Sequence, residues 1–198
     1  MARSKAAILG GALLFFGLMI AWPGSAQAHV VELVSVATGG TQANDYSYYP
    51  SISSDGRYVA FQSGADDLVP GDTNGVADIF VRDRQAGTTE RVSVATDGTQ
   101  GNGESNVPWI SVDGRYVVFP SDASNLVLGD TSHRRDVFVH DRQTGITSRV
   151  SVSGTGTQAN GASGYPSIRA DGREAAILVV AVAGAAAGAG RWWWPPWS

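Results

Sequence analysis

Along the stretch Tyr58–Phe61 the chain reads "YVAF", apolar at consecutive positions, and Ile79–Val81 reads "IFV" in the same manner. Short apolar runs bounded by turn residues predict inner β-strands buried on both faces. "RVSV" at Arg91–Val94 alternates apolar and polar, the pattern of an outer strand with one face in water. Between "SIS" and "RYVAFQS" stand Ser54-Asp55-Gly56. Asp-Gly between β-forming runs predicts a hairpin. A second hairpin is predicted between "DIFVRD" and "TTERVSV", around "RQAGT" with Gly87 at the turn. Four strands follow one another in this way, here called a, b, c and d. No 3.6-residue apolar period is visible before the tail, so the expected class is all-β.

The pattern then returns. Asp55, Asp113 and Asp171 open three "DGR" triplets spaced 58 residues apart, and Gln42, Gln100 and Gln158 of the "GTQ" blocks keep the same step. "DIFVRDRQAGTTERVSV" from Asp78 returns as "DVFVHDRQTGITSRVSV" from Asp136 in the same register. Three blocks in one register without an insertion establish a true internal repeat. Four antiparallel strands per unit, repeated, are the arithmetic of a β-propeller, whose sheets bury their faces against their neighbours. The period exceeds the ~40–50 residues of the commoner blade repeats. The surplus falls in two loops, "GADDLVPGDTNGVA" between b and c, and "ATDGTQGNGESNVP" leading to the next a strand.

These blocks, "PSISSDGRYVAFQS", "GDTNG" and "DIFVRDRQ…TTERVSV", resemble the WD40-like repeats of the TolB-type propeller family over roughly Val30 to Arg173. The resemblance implies a propeller and, in that family generally, a scaffold that binds other macromolecules. It implies no single activity, since propellers host many. The order read along the chain is a d strand in "VVELVSVATGGTQAN", then abcd, abcd, and a lone a strand at "YPSI". Propellers use about four to eight blades. The expectation is therefore an incomplete ring whose third a strand lacks a b strand.

The two ends carry different signals. Arg3 and Lys5 precede an apolar Ala6–Ala21 run, and "SAQA" supplies an A-x-A site at Ala26 and Ala28. This predicts a signal peptide over residues 1–28, cleavage before His29, and a secreted or periplasmic product. Residues 29–173 are the partial propeller. After Arg173 the register asks for "YVAF" where Glu174-Ala175-Ala176-Ile177 stand, followed by an Ala/Gly- and Trp-rich tail to Ser198. Three readings of residues 174–198 stay open: a truncation or frameshift product, a short anchor with interfacial Trp residues, or a helix docked on the open blade. The apolar Ala175–Ala189 run has 15 residues, fewer than the ~20 of a spanning helix.

Composition narrows the function. Loss of Arg3 and Lys5 with the signal takes the formal charge from −4 to −6, and the remaining basic residues are all Arg with no basic stripe. Nucleic acid is thereby excluded as an expected partner. With no Cys in the chain, an exported product must be held by packing alone.

No nucleophile elbow, phosphate loop or H-E-x-x-H is present. His29, His133 and His140 form no repeated site, because Gly75 and Arg82 occupy the positions of the latter two in the first period. The chain is thus expected not to be an enzyme. Asp72, Asn74 and Asp78 in "GDTNGVAD" space oxygen donors as some Ca²⁺ loops do. The second period replaces Asn74 by Ser132 and adds two Arg, and Asx-turn and strand-start hydrogen bonds account equally for these side chains. No metal or cofactor is assigned on this basis.

The d–a loops vary most between periods. Tyr46, Tyr48, Tyr49 and Trp109 are the candidate ligand-binding residues, as aromatic groups at positions where the scaffold varies. Packing between blades is the competing role for all four. The expected function is a non-catalytic exported scaffold for protein, peptide or glycan. The alternatives are the propeller fragment of a peptidase or polysaccharide lyase, or a nonfunctional gene fragment that self-associates.

Overall fold

The computed structural model describes residues 31–168 and the backbone of 175–179. The signal segment 1–28, cleavage at Ala28 and the tail beyond Val179 lie outside them. Nine strands cover the described repeats: β1 (Ser47–Ile52), β2 (Tyr58–Ser63), β3 (Asp78–Asp83), β4 (Thr88–Arg91), β5 (Trp109–Ile110), β6 (Tyr116–Ser121), β7 (Asp136–Asp141), β8 (Ile146–Arg149) and β9 (Ser163–Ile168). A further strand, β10, spans Ala175–Val179. No helix occurs among the described residues.

The strands form two four-stranded antiparallel sheets, β1-β2-β3-β4 and β5-β6-β7-β8, and the pair β9-β10. The chain is an all-β, incomplete propeller of four-stranded repeats. Its registers repeat with its sequence: Tyr58 pairs with Asp83 and Tyr116 with Asp141. Asp-Gly sits at the a–b turns of both four-stranded sheets, with Gly56 and Gly114 at φ 71° and 74°. Only glycine adopts that left-handed conformation without Cβ strain.

The consecutive apolar runs are buried on both faces, as their pattern predicts. Ala60, Ile79 and Val81 pack against Ile110, Val117, Phe119 and Phe138 of the second sheet. Phe61 and Phe80 point the other way and meet Leu68 and Ala65. Sheet-to-sheet hydrogen bonds add to this packing: Ser54 N donates to Val112 O (2.9 Å) and Ser105 N to Ala77 O (2.8 Å).

Three details differ from expectation. Strand d ends at Arg91 rather than running through Val94. Val92 and Ser93 are both buried, and the chain turns at Val94, which bridges Gln100. Residues 31–35 form no strand, and Val36 makes only an isolated bridge to Gln42. A d strand needs a c strand beside it, and the described residues hold none there.

The third a strand is also not alone. Ile168 pairs with Ala175 and Ser163 with Val179, the same offsets that join Ile52 to Val59 and Ser47 to Ser63. The short apolar run Ala175–Val179 is hydrophobic enough to pair in the b position without the "YVAF" side chains. The expected absence of a b strand is corrected, while the c position beside β10 is empty among the described residues.

Candidate functional site

Strand a is where each period departs from regularity. Tyr49, Val107 and Tyr165 have φ of 53°, 38° and 51°, each directly before a proline. The ladder β1–β2 shifts register between Tyr48 and Ser51. In the second period only Trp109–Ile110 remain strand, with Ser105 bridging Ser121 further along. Proline removes a backbone donor and constrains the residue before it, and the resulting bulge re-aims neighbouring side chains outward.

The four aromatic candidates fall into two places. Tyr46 and Tyr48 stack at 5.3 Å between ring centroids, and Tyr49 meets Tyr48 edge-on at 6.2 Å. All three are exposed, and Tyr46 covers Gly64, where a Cβ would approach its ring to 2.9 Å. Trp109, 47% exposed, is not part of that cluster. It lines a cleft of about 490 Å³ between the second sheet and β9, together with Val107, Pro120, Arg135, Ser163 and Tyr165.

Reading single periods missed Asn106, Pro120, Arg135, Ser163 and Tyr165 as site residues. The signal was present in the repeat. Where the first period has Gln62 and Ala77 the second has Pro120 and Arg135, and where the second has Asn106 the third has Gly164. Arg135 donates to Asp122 through Nε and Nη2 at 3.2 and 2.6 Å. That contact raises its pKa against the opposing cost of burial.

The oxygen-rich loop holds a different chemistry from a calcium loop. Gln100 Nε2 donates to Asp72 Oδ1 (2.7 Å), Ser93 Oγ to Asp78 Oδ1 (2.5 Å), and Asn74 Nδ2 to Asp78 Oδ2 (2.9 Å). Arg91 Nη1 lies 3.1 Å from Asp72 and 3.6 Å from Asp78. The guanidinium thus stands where a cation would bind, and the Asn74 oxygen accepts from Val76 N (3.1 Å). The second period repeats this arrangement with Gln158, Asp130, Asp136, Ser151 and Arg149. Burial pushes the Asp78 carboxyl up, partly opposed by its bonds to Ser93 and Asn74 and by the charge of Arg91. Among the described residues no group of three His, Asp or Glu is arranged to hold a metal ion.

The two described histidines are apart in kind. His140 is buried with Nδ1 at 2.8 Å from Thr147 Oγ1, the place Arg82 takes against Thr89 in the first sheet. Its burial lowers its pKa. His133 sits in an exposed loop at φ 51°.

Among solved structures, the putative TolB of Agrobacterium tumefaciens aligns with a TM-score of 0.45 and 20% identity, over 67% of this chain and 38% of that one. The chain is similar to TolB-type propellers. The TolB of Acinetobacter baumannii aligns at 0.36 and 18%, over 67% and 37% of the two chains. The tricorn protease aligns at 0.42 and 13%, over 65% and 10%. This TolB-like chain therefore spans well under half the length of either TolB structure and a tenth of the protease. No family model matches the sequence, and no curated protein matches it.

Proposed function

We propose that the chain is an exported, non-catalytic binding scaffold that takes a protein, peptide or glycan ligand at the boundaries between its blades. The observation that carries this is the aromatic cleft beside Trp109, built where the repeat departs from itself. Rigid strands present its walls, and ligand sites are concave, largely apolar and supplied with a few placed polar groups. The signal-like segment ending in "SAQA" supports export. N-terminal sequencing of secreted material should begin at His29.

Binding is tested on peptide and glycan arrays with the processed chain. Trp109→Ala should abolish capture while the unfolding midpoint stays within a few degrees. Joint replacement of Tyr46, Tyr48 and Tyr49 by Ala tests the second aromatic group in the same assay. Capture unchanged in both folded variants would end this reading.

A further inference from the structure

The two boundaries between neighbouring sheets are built from the same repeat positions and finish differently. At the first, Gln62 Nε2 donates to Asn106 Oδ1 at 3.0 Å, and Val107 N donates to Gln62 Oε1 at 3.3 Å. This side-chain plug ties strand β2 to the segment before β5. At the second, the corresponding residues are Pro120 and Gly164. Neither has a side chain that can hydrogen-bond, and the cleft of about 490 Å³ lies there.

Two polar atoms in its lining lack a partner. Ser47 and Ser105 join their hydroxyls to Ser63 and Ser121 at 3.0 and 2.9 Å. The third period has Val179 where those serines stand, and the Ser163 hydroxyl, on a residue 1% exposed, makes no hydrogen bond. The Asn106 amide is oriented by Gln62 and leaves Nδ2 buried and unbonded. A buried polar group without a partner carries an uncompensated loss of hydration, so both atoms favour a ligand that completes them.

The chemistry of these groups selects the ligand. Asn106 Nδ2 and the Trp109 indole N–H only donate, and Ser163 can donate as well. Arg135 already occupies the nearby acceptor, Asp122. The site thus offers chiefly donors, with the hydroxyls of Ser163, Tyr165 and Ser167 able to accept as well, set in apolar surface from Trp109, Tyr165, Pro120 and Pro166. A sugar brings an O–H with every hydroxyl. A proline-containing segment brings carbonyl acceptors, has no N–H at proline, and presents a preformed apolar body to aromatic grooves.

We infer that this cleft, left open by Pro120 and Gly164 between the second sheet and β9, binds a proline-containing peptide in extended polyproline form, its carbonyls accepting from Asn106 and Ser163. This rests on the binding-scaffold reading and narrows its ligand class.

The test is fluorescence anisotropy with a labelled Ala-Pro-Pro-Trp-Pro-Pro-Ala peptide, and maltohexaose as the sugar probe. The processed chain is used with Trp192, Trp193, Trp194 and Trp197 changed to Ala, so that its own Trp-Pro stretch does not compete. Saturable peptide binding is expected, weakened at least tenfold by Trp109→Ala and unchanged by Tyr46→Ala. The double change Pro120→Gln with Gly164→Asn rebuilds the plug of the first boundary and should also weaken binding at least tenfold. A Cβ at Gly164 meets nothing within 4 Å, so this variant has room to fold, and its unfolding midpoint is measured alongside. Peptide binding that survives the rebuilt plug overturns the location. Maltohexaose bound in place of peptide, and lost with Trp109, overturns the peptide assignment but leaves the scaffold reading standing. Neither probe bound at millimolar concentration overturns the site.

Discussion

Replacing Gly114 by Ala should damage the contact between the two full sheets, whereas Gly56→Ala at the matching turn should not. Both glycines have positive φ, so each substitution carries a left-handed strain of about 1–2 kcal/mol. At Gly56 an added Cβ has no atom nearer than 3.6 Å. At Gly114 it would lie 2.1 Å from Cδ2 of Tyr58, in the neighbouring sheet. The ring must move by about 1 Å or more to restore contact distance, and overpacking of this kind costs about 1–3 kcal/mol. Tyr58 also carries the guanidinium of Arg142 at 4.3 Å and that of Arg57 at 4.7 Å from its ring centroid. Each such contact contributes about 0.5–1 kcal/mol at a partly exposed site, and a displaced ring weakens both. Gly114→Ala should therefore exceed Gly56→Ala by about 1–3 kcal/mol in urea unfolding. In a Tyr58→Ala background the excess should vanish. Equal midpoints for the two glycine variants, or an excess that survives loss of Tyr58, would refute the sheet-to-sheet contact.

Other consequences are as direct. Arg57 holds the Asp83 carboxyl down at about 2, and at Asp141 the bonds from Arg115 and Gln143 outweigh burial to reach about 2 as well. Folded values below the ordinary 3.8 contribute stability above pH 4 that is lost as pH falls from about 4 to 2; thermal melts should show this, and Asp83→Asn with Asp141→Asn should flatten that part of the profile. Arg91→Met should cost about 3 kcal/mol at pH 7 by stranding buried carboxylates, with a smaller loss at acidic pH, because burial raises the Asp78 carboxyl and its protonation removes the stranded charge; calcium at millimolar concentration should leave the melting temperature of the unmodified chain unchanged, and a rise of several degrees would support the metal reading of Asp72, Asn74 and Asp78. His133→Gly should stabilise by about 0.5–1 kcal/mol, because φ is 51° there and the first period has glycine at that position; no gain in the urea midpoint would contradict it. Among the described residues the c position beside β10 is unfilled, and an unpaired strand edge favours self-association, to be seen by sedimentation velocity and contradicted by a stable monomer.

The sheets were legible because each repeated block has one physical task. "DGR" places a glycine turn and sends an Arg to the Asp of "DR", giving the Arg57–Asp83 and Arg115–Asp141 pairs at 2.7 Å. "GDT", "DIF", "RVS" and "GTQ" belong to different strands and loops of the period, yet Gln100, Asp72, Asp78, Arg91 and Ser93 converge on one polar network. Spacing disclosed that the blocks recur; it could not disclose that four of them meet. For the same reason Asp72 and Asp78 resembled a cation loop in sequence, since the Arg91 that neutralises them arrives from another strand. The pairing of β10 escaped notice because its side chains differ from "YVAF", while backbone pairing depends mainly on offset and extended, apolar character.

The cleft escaped for a more general reason. A repeat draws the eye to what recurs, and those positions build the scaffold: paired serines, turn glycines, buried phenylalanines. A scaffold position that changes must be compensated or must leave something unsatisfied. Arg82 becomes His140 and is compensated, since each reaches the threonine opposite, Thr89 or Thr147. Gln62 becomes Pro120 and Asn106 becomes Gly164 without compensation, which leaves an open volume, and Ser121 becomes Val179, which leaves the Ser163 hydroxyl unbonded at its wall. Departures of the first kind are neutral to function. Departures of the second kind cost stability where they stand, so a ligand that satisfies them gains what the fold gave up. By that criterion the Tyr46–Tyr48–Tyr49 cluster, whose rings satisfy one another, is the weaker candidate, and the boundary beside Trp109 is the stronger.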